Sequence, residues 1–310
     1  MNNSTLNHRS AVSLWIQAIR PFSLTATLIP VIFGAMFTLA FYNGPVNWNL
    51  MILIALGTPF FQLSGNLLSE YFDFKHNVDR KDTFGSSRVL VDGLMQPKAV
   101  LMGGITSLLI LLIFGIILTY YRGIDMLVIG LFGMLGSYFY STLKYKALGD
   151  LHIFIFFGPL MIFGTFYALT GSYELVKEIA VVSIPIGFLV TAILHANNTR
   201  DIKHDGEANV KTFASVIGVN SSKLYYRFLL IGAYVAVGIF IAMKLLPIWS
   251  LLVLVSFPIA MKNLKLIGKA DVENPKEIAM LDIMTAQLHM IFGLLLSISI
   301  LIGYFVKWKK

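Results

Sequence analysis

Residues 49–79, NLMILIALGTPFFQLSGNLLSEYFDFKHNVD, run from a long apolar segment directly into an acidic cluster. The polar positions of this cluster are Asn66, Glu70, Asp73 and Asp79. On a helix, residues spaced i, i+4 and i+7 share one face. The first three therefore project oxygen atoms in the same direction.

A second stretch of the chain repeats this arrangement. Asn197-Asn198-Thr199-Arg200-Asp201, followed by Asp205, also ends a long apolar segment, and its Asn and two Asp residues fit a spacing of i, i+4 and i+8. Eight of the sixteen acidic residues lie within 66–98 and 197–211. Mg²⁺ prefers oxygen ligands and is often shared between carboxylates and phosphate groups. Two facing acidic clusters therefore predict a magnesium site that holds a diphosphate.

Composition places the chain in a membrane. It has 310 residues, of which 57% are hydrophobic and 13% are charged, and its mean hydropathy is +0.76. These values predict a membrane protein with roughly nine spans of about 20 residues each. Lys and Arg are scattered among short loops, which argues against nucleic-acid binding despite the net charge of +8. The absence of Cys excludes disulfides and thiolate metal sites, and there is no Walker loop, G-x-S-x-G motif or zinc spacing.

Apolar periodicity locates the spans and one shorter helix. Residues 11–19 predict an interfacial helix, because their apolar residues fall at helical spacing. The predicted spans are 23–42, 49–70, 99–120, 124–142, 151–171, 178–198, 223–243, 246–264 and 285–306. The second and sixth spans end in the two acidic clusters, which suggests two four-helix halves with a ninth helix added.

The distribution of basic residues predicts the orientation. With the N-terminus inside, eighteen Lys and Arg residues lie in cytoplasmic segments and six lie outside. Both acidic clusters then fall on the cytoplasmic face. We expect residues 1–22 to form a cytoplasmic or interfacial segment, and residues 71–98 and 199–222 to form cytoplasmic cap loops. From the polar residues 1–9 we expect no cleavable signal before the first span.

Cations and aromatic rings lie near the acidic clusters in the sequence. Arg binds phosphate through two hydrogen bonds, and Lys supplies a point charge. Arg200 is the strongest candidate because it lies inside the second cluster, and Tyr71, Tyr138, Tyr140 or Tyr145 could shelter an allylic cation. Membrane topology offers a second interpretation, since cytoplasmic loops are generally basic and interfacial tyrosines anchor helices. For any single residue it explains the position about as well as a role in substrate binding does.

Several motifs together resemble the UbiA superfamily of intramembrane prenyltransferases, and in particular the branch that acts on 1,4-dihydroxy-2-naphthoate in menaquinone and vitamin K2 synthesis. The resemblance covers most of the chain. It rests on Arg20-Pro21-Phe22-Ser23-Leu24, Gly65–Phe74 with Asp79, Arg88–Gly93, Lys144–Leu151, Phe157-Gly158-Pro159, and Asn197–Asp201 with Asp205 and Lys211-Thr212. The chain departs from the usual motifs at Ser69-Glu70, at Asn77 and at Asn209-Val210.

The resemblance implies a single all-α domain over residues 1–310, with about nine transmembrane helices around a central cavity. It implies Mg²⁺ as the cofactor and assigns roles to individual residues. The implied metal ligands are Glu70, Asp73, Asp79, Asp201 and Asp205. The implied diphosphate-binding residues are Asn66, Arg88, Arg200, Lys211, Asn197, Asn198 and Arg20. The implied catalytic residues are Asp73, Asp201, Arg200, Lys144, Tyr145 and Asp150, of which the last three are candidates for the acceptor side.

The expected function is Mg²⁺-dependent transfer of a polyprenyl group from polyprenyl diphosphate to an aromatic acceptor, most plausibly 1,4-dihydroxy-2-naphthoate. Two alternatives within the superfamily are another aromatic acceptor and cyclisation of the donor. A non-catalytic polyprenyl carrier or transporter is an alternative of a different class. The expected location is a bacterial inner membrane, with lipid as a partner, no nucleic acid and the active site facing the cytoplasm. The sequence leaves the oligomeric state open.

Overall fold

The computed structural model describes residues 10–80 and 87–308, and within these ranges the chain is helical, with no β-strand beyond one isolated bridge between Lys146 and Lys211. The predicted all-α class is confirmed. The α-helices are α1 (Ala11–Ile19), α2 (Thr25–Phe41), α3 (Leu50–Lys75), α4 (Pro97–Arg122), α5 (Ile124–Lys144), α6 (Gly149–Ile155), α7 (Met161–Thr170), α8 (Val176–Val182), α9 (Ile184–Arg200), α10 (Ile202–Glu207), α11 (Phe213–Ala242), α12 (Phe257–Ile267) and α13 (Leu281–Phe305). Short 3₁₀ segments cover Pro21–Leu24, Ile248–Ser256 and Pro275–Ile278, and a π segment covers Phe156–Leu160.

The described helices form up to nine membrane spans. Eight helical segments are long and apolar enough to cross a bilayer, and the bent pair α8–α9 supplies the ninth. Large apolar side chains such as Leu109, Ile113 and Val235 are exposed on the outside of these helices. A helix that is apolar on all sides has no solvent-facing stripe, as expected for a protein surrounded by lipid. The chain is therefore an integral membrane protein.

Two predicted spans are broken rather than continuous. The span predicted over 178–198 bends by 47° between α8 and α9. Pro185 lies in the first turn of α9, where the N–H that proline lacks would have no partner within the helix. The same missing N–H prevents α8 from continuing through Pro185 as a regular helix. The span predicted over 151–171 changes geometry at Gly158, whose backbone angles (φ −94°, ψ −106°) are not helical, directly before Pro159. A proline therefore accompanies the break in each of these two spans.

Of the predicted cap loops, the second is largely helical, whereas the described part of the first is helical only at its two ends. Helix α3 continues through the first acidic cluster to Lys75, so Asn66, Glu70 and Asp73 share a helix as predicted. In the second cluster α9 ends at Arg200 and α10 begins at Ile202, so the expected continuous face from Asn197 to Asp205 is interrupted. Helix α11 begins at Phe213, ten residues before the predicted span, and has a break at Gly218 (φ +77°). Residues 81–86 of the first cap segment lie outside the described residues.

The predicted interfacial helix is present as α1 and is tied to α3. Ser10 caps its first turn by accepting a hydrogen bond from the Ser13 amide (3.2 Å). At its end Arg20 takes a left-handed conformation (φ +51°), which turns the chain into the first span. Trp15 and Ala18 of α1 pack with Leu67 of α3 in one apolar cluster.

The two halves close around a common space. Helix α13 packs against α2 and α9, α11 packs against α9, and α3 packs against α4. The largest apolar core cluster joins α2, α7, α9, α11 and α13. The acidic ends of α3 and α9 therefore meet at one end of the bundle, although they come from different halves of the chain.

Candidate active site

Some residues of the first acidic cluster make structural contacts, and others line a cavity. Asn66 donates hydrogen bonds to the Ile19 carbonyl (2.8 Å) and to Ser23 Oγ (2.8 Å). Glu70 is fully buried and binds the Arg20 guanidinium at 2.6 Å and the Ser87 amide at 3.0 Å. Glu70 therefore positions Arg20, whose side chain lines the cavity, whereas Glu70 itself does not.

Asp73 lies on the cavity wall and is held on several sides. Its Oδ2 accepts a hydrogen bond from Ser69 Oγ (3.0 Å) and lies 3.5 Å from Lys144 Nζ. Its Oδ1 accepts a hydrogen bond from the Tyr145 hydroxyl. Burial, reinforced by the neighbouring Asp73, raises the pKa of Tyr145, so that the phenol stays protonated and donates.

Asp79 faces the same cavity from the turn after α3. The amides of Val78 and Asp79 both bond to the Asp73 carbonyl (2.8 and 3.3 Å), which folds this turn back over the helix end. Asp79 Oδ2 is buried and has no hydrogen-bond partner. Burial, together with Asp73 and Glu70, raises the pKa of Asp79 to about 7. A carboxylate held in this way is stabilised by a bound cation.

The second cluster is organised by Arg200. Its guanidinium donates to both carboxylate oxygens of Asp201 (3.0 and 2.9 Å) and to Asp282 Oδ2 (3.1 Å). Asp282 lies at the start of α13 and also accepts a weak hydrogen bond from Asn197 Nδ2 (3.4 Å). Asp205, on α10, accepts a bond from Thr212 Oγ1 (3.1 Å), and burial raises its pKa to about 7.

The two clusters line one cavity with about 1000 Å³ of empty space. Of the described residues, five carboxylates and two Lys or Arg side chains form its polar wall: Asp73, Asp79, Asp201, Asp205 and Asp282, with Arg20 and Lys144. Neutral polar side chains such as Asn66 and Asn197, and apolar side chains such as Phe22, Phe157 and Leu194, form the remainder. An anion alone is repelled by this excess of negative charge, so a diphosphate needs added cations to bind here.

The cavity fits divalent cations that are shared with a ligand. No three His, Cys, Asp or Glu side chains in residues 10–80 and 87–308 converge on a single metal position. Mg²⁺ commonly takes only one or two carboxylates and completes its octahedron with water and phosphate oxygens. The unpartnered oxygen of Asp79 and the raised pKa values of Asp79 and Asp205 fit such ions.

Comparisons with known proteins identify the family. A model described as the UbiA prenyltransferase family matches residues 27–284. The chain belongs to the UbiA prenyltransferase family. The 1,4-dihydroxy-2-naphthoate octaprenyltransferase of Bacillus subtilis is 31% identical, over 94% of this chain and 93% of that protein. Human UbiA prenyltransferase domain-containing protein 1 is 32% identical, over 74% of this chain and 69% of that protein. This protein is a prenyltransferase.

Solved structures of UbiA homologues share the fold of this family member. The apo structure of a homologue from Aeropyrum pernix K1 has a TM-score of 0.68 at 13% identity, over 92% of this chain and 98% of that one. A homologue from Archaeoglobus fulgidus, bound to GPP and Mg²⁺, has a TM-score of 0.55 at 16% identity, over 92% of this chain and all of that one. The predicted fold is confirmed by both.

The structure brings some predicted site residues of this prenyltransferase to the cavity and places others elsewhere. Asn66, Asn197, Arg20 and Lys144 line the cavity together with the four predicted Asp ligands. The predicted residues that do not line it are Glu70, Arg88, Tyr145, Asp150, Asn198, Arg200 and Lys211. Glu70, Tyr145 and Arg200 contact residues that do line it.

The remaining predicted residues lie further from the cavity. Arg88 pairs with the exposed Asp92 (2.8 Å). Asp150 binds His195 Nδ1 (2.7 Å), and both residues are buried. The Asn198 amide is buried without a hydrogen-bond partner. Lys211 is exposed, and its amide donates to the Tyr145 carbonyl (3.3 Å), which joins the second cap segment to the loop after α5.

Two wall residues were missed by the sequence analysis. Asp282 lies outside both acidic stretches, but it is a lone carboxylate at the start of an apolar span on the same side of the membrane, and that position was a usable signal. Gln62 lies one helical turn before Asn66, and its Nε2 donates to Asn66 Oδ1 (3.0 Å). A polar amide side chain inside an otherwise apolar span was the sequence feature that could have indicated this residue.

Proposed function

We propose that this protein transfers a polyprenyl group from polyprenyl diphosphate to 1,4-dihydroxy-2-naphthoate in a Mg²⁺-dependent reaction of menaquinone biosynthesis. The observation that carries the diphosphate chemistry is the composition of the cavity wall, where five carboxylates face two cations. The choice of acceptor is supported by the similarity to the Bacillus subtilis naphthoate octaprenyltransferase over nearly the full length of both chains.

Roles for the wall residues follow from their contacts. Asp73, Asp79, Asp201 and Asp205 are the proposed metal ligands, and Asp282 is added as a fifth carboxylate nearby. Bound Mg²⁺ would supply the positive charge that neutralises the departing diphosphate. Arg20 and Lys144 are the proposed diphosphate-binding cations. In place of the direct diphosphate contact expected from the sequence, Arg200 holds Asp201 and Asp282 in position.

The reaction balances without an external oxidant. The bond between the allylic carbon and the diphosphate oxygen breaks, and its electron pair leaves with diphosphate. Ring π electrons form the new carbon–carbon bond, and loss of carbon dioxide restores an aromatic hydroquinone. Lys144 and Arg20 act electrostatically where charge develops on the leaving group, which is generally the largest catalytic contribution in such sites. The apolar wall formed by Phe22, Phe157 and Leu194 keeps water from the allylic cation.

The protein in vesicles, with MgCl₂, a long-chain prenyl diphosphate and 1,4-dihydroxy-2-naphthoate, tests this proposal. We expect demethylmenaquinol, detected by mass spectrometry as demethylmenaquinone after air oxidation, together with diphosphate and carbon dioxide. Product with 4-hydroxybenzoate alone would indicate a transferase with another acceptor. Donor consumption without any aromatic compound would indicate a cyclase, and binding without consumption would indicate a carrier. Each of these three results would refute the naphthoate assignment.

A further inference from the structure

A second, smaller cavity adjoins the acidic one. It contains about 360 Å³ of empty space and shares Gln62, Asn66, Tyr140 and Phe157 with the wall of the larger cavity. Its far side is closed by His152 and Ser137. Of the described residues that line it, none is a Lys, Arg, Asp or Glu. It is therefore a neutral side cavity next to a strongly charged one.

Unused hydrogen-bonding groups face this side cavity. His152 on α6 is 5% exposed, and neither of its ring nitrogens has a hydrogen-bond partner. The ring lies near the Gly136 backbone without making a hydrogen bond of normal geometry. Gln62 Oε1 is also buried without a partner. Buried polar groups in native proteins are nearly always hydrogen-bonded. Because His152 and Gln62 also line this cavity, a ligand there with complementary groups would satisfy them.

Ring packing holds the aromatic side chains of the side cavity wall in place. The His152 ring stacks on Phe156, with their centroids 4.1 Å apart, and Phe61 meets Phe157 edge to face at 5.1 Å. Glycine at position 136 is required for this stack, because a Cβ there would lie 2.0 Å from the Phe156 ring. The His152 ring is thus fixed mainly by packing, and neither nitrogen makes a hydrogen bond of normal geometry.

We propose that this side cavity binds the aromatic ring of the acceptor, a hydroxylated mono- or bicyclic aromatic, and that His152 and Gln62 hydrogen-bond to its hydroxyl groups. This inference rests on the proposed aromatic prenyl transfer. A prenyl chain has no polar atoms to satisfy His152 or Gln62, and a diphosphate would lie in a neutral cavity without a counter-ion. A ring held here faces the shared wall and hence the site where the allylic cation forms.

Kinetics of matched histidine variants test the proposal. His152→Phe keeps a flat ring of similar size and removes both nitrogens. We expect it to raise the KM for the aromatic acceptor about tenfold, the effect of losing about one hydrogen bond, with the KM for prenyl diphosphate unchanged. His152→Gln retains a donor and an acceptor and should recover part of the affinity. Gln62→Met should also raise the acceptor KM selectively, and it provides a second variant if His152→Phe does not fold.

His289→Phe is the matched control, because His289 is also fully buried with two unpartnered nitrogens but lines neither cavity. It should leave both KM values at the wild-type level. An acceptor KM within twofold of wild type in folded His152→Phe and Gln62→Met would overturn the subsite while leaving the proposed function intact. A wild-type protein that makes no prenylated product from any hydroxylated aromatic would refute the proposed function, and the subsite with it.

Discussion

Neutralising Asp73 gives the sharpest test of the shared site. Asp73→Asn retains the size of the side chain and one acceptor oxygen, which can keep the hydrogen bond from Tyr145, while its amide nitrogen can donate to Ser69 Oγ. It removes the negative charge that lies 3.5 Å from Lys144 Nζ and faces the cavity. We therefore expect the variant to fold normally and to lose turnover.

The magnitude follows from electrostatics. A unit charge about 4 Å from another is worth about 4 kcal/mol at an effective dielectric constant near 20. Because part of this is recovered through water and the remaining carboxylates, we expect a loss of about 3 kcal/mol in transition-state stabilisation. This corresponds to a decrease of roughly two orders of magnitude in turnover.

The assay measures the initial rate of diphosphate release in vesicles at saturating donor, over a titration of MgCl₂, with EDTA as the zero-metal reference. Asp92→Asn is the matched control, since Asp92 is an exposed carboxylate paired with Arg88 outside the cavity. It should retain activity within twofold of wild type. The shared-site reasoning fails if Asp73→Asn melts at the wild-type temperature and keeps more than a third of wild-type turnover in Mg²⁺.

Two further predictions concern the second cluster and the topology. Asp282→Ala leaves buried Arg200 with Asp201 as its remaining carboxylate and should lower the free energy of unfolding by about 2 kcal/mol. Asp282→Asn should lower it by less. A thermal melt of Asp282→Ala at the wild-type temperature would contradict this role. The chain has no Cys, so single cysteines report the topology without background. Ser221→Cys should react with an impermeant thiol reagent only after the cytoplasmic side is opened, and Asn43→Cys should react from outside. Labelling of position 221 in sealed cells would show that the orientation is opposite to the predicted one.

The fold was predictable because its main determinants are local. Long apolar runs determine the spans, and the interfacial helix at 11–19 was located to the residue because its apolar spacing and the following Arg20-Pro21 mark both ends. The breaks at Gly158 and Ser183 were not predicted. Pro30 and Pro59 lie inside unbroken helices, whereas Pro159 and Pro185 accompany breaks, and neighbouring helices rather than the local sequence decide between these outcomes.

The candidate site was predictable only in part. The sequence brought together the four Asp residues, because each lies in or just after an acidic cluster at the end of an apolar span. It could not indicate that Arg200 points at Asp201 and Asp282, since the partner on α13 lies 82 residues away along the chain. Nor could it separate Glu70 from Asp73, which occupy the same helix face. In the structure, Glu70 forms a salt bridge with Arg20, whereas Asp73 lines the cavity.

The attachment of α1 to α3 has a consequence for any shortened form of the protein. Gln17 donates to the Ser87 carbonyl (2.6 Å), Asn66 donates to the Ile19 carbonyl, and Glu70 holds Arg20. The amphipathic segment thus braces the helix end that carries Asp73. A deletion that stops before Arg20 would remove none of the cavity-lining side chains among the described residues, yet it would behave in kinetic assays like a substitution inside the cavity. An amino-terminal tag that pulls α1 from the bilayer surface would have the same effect as that deletion.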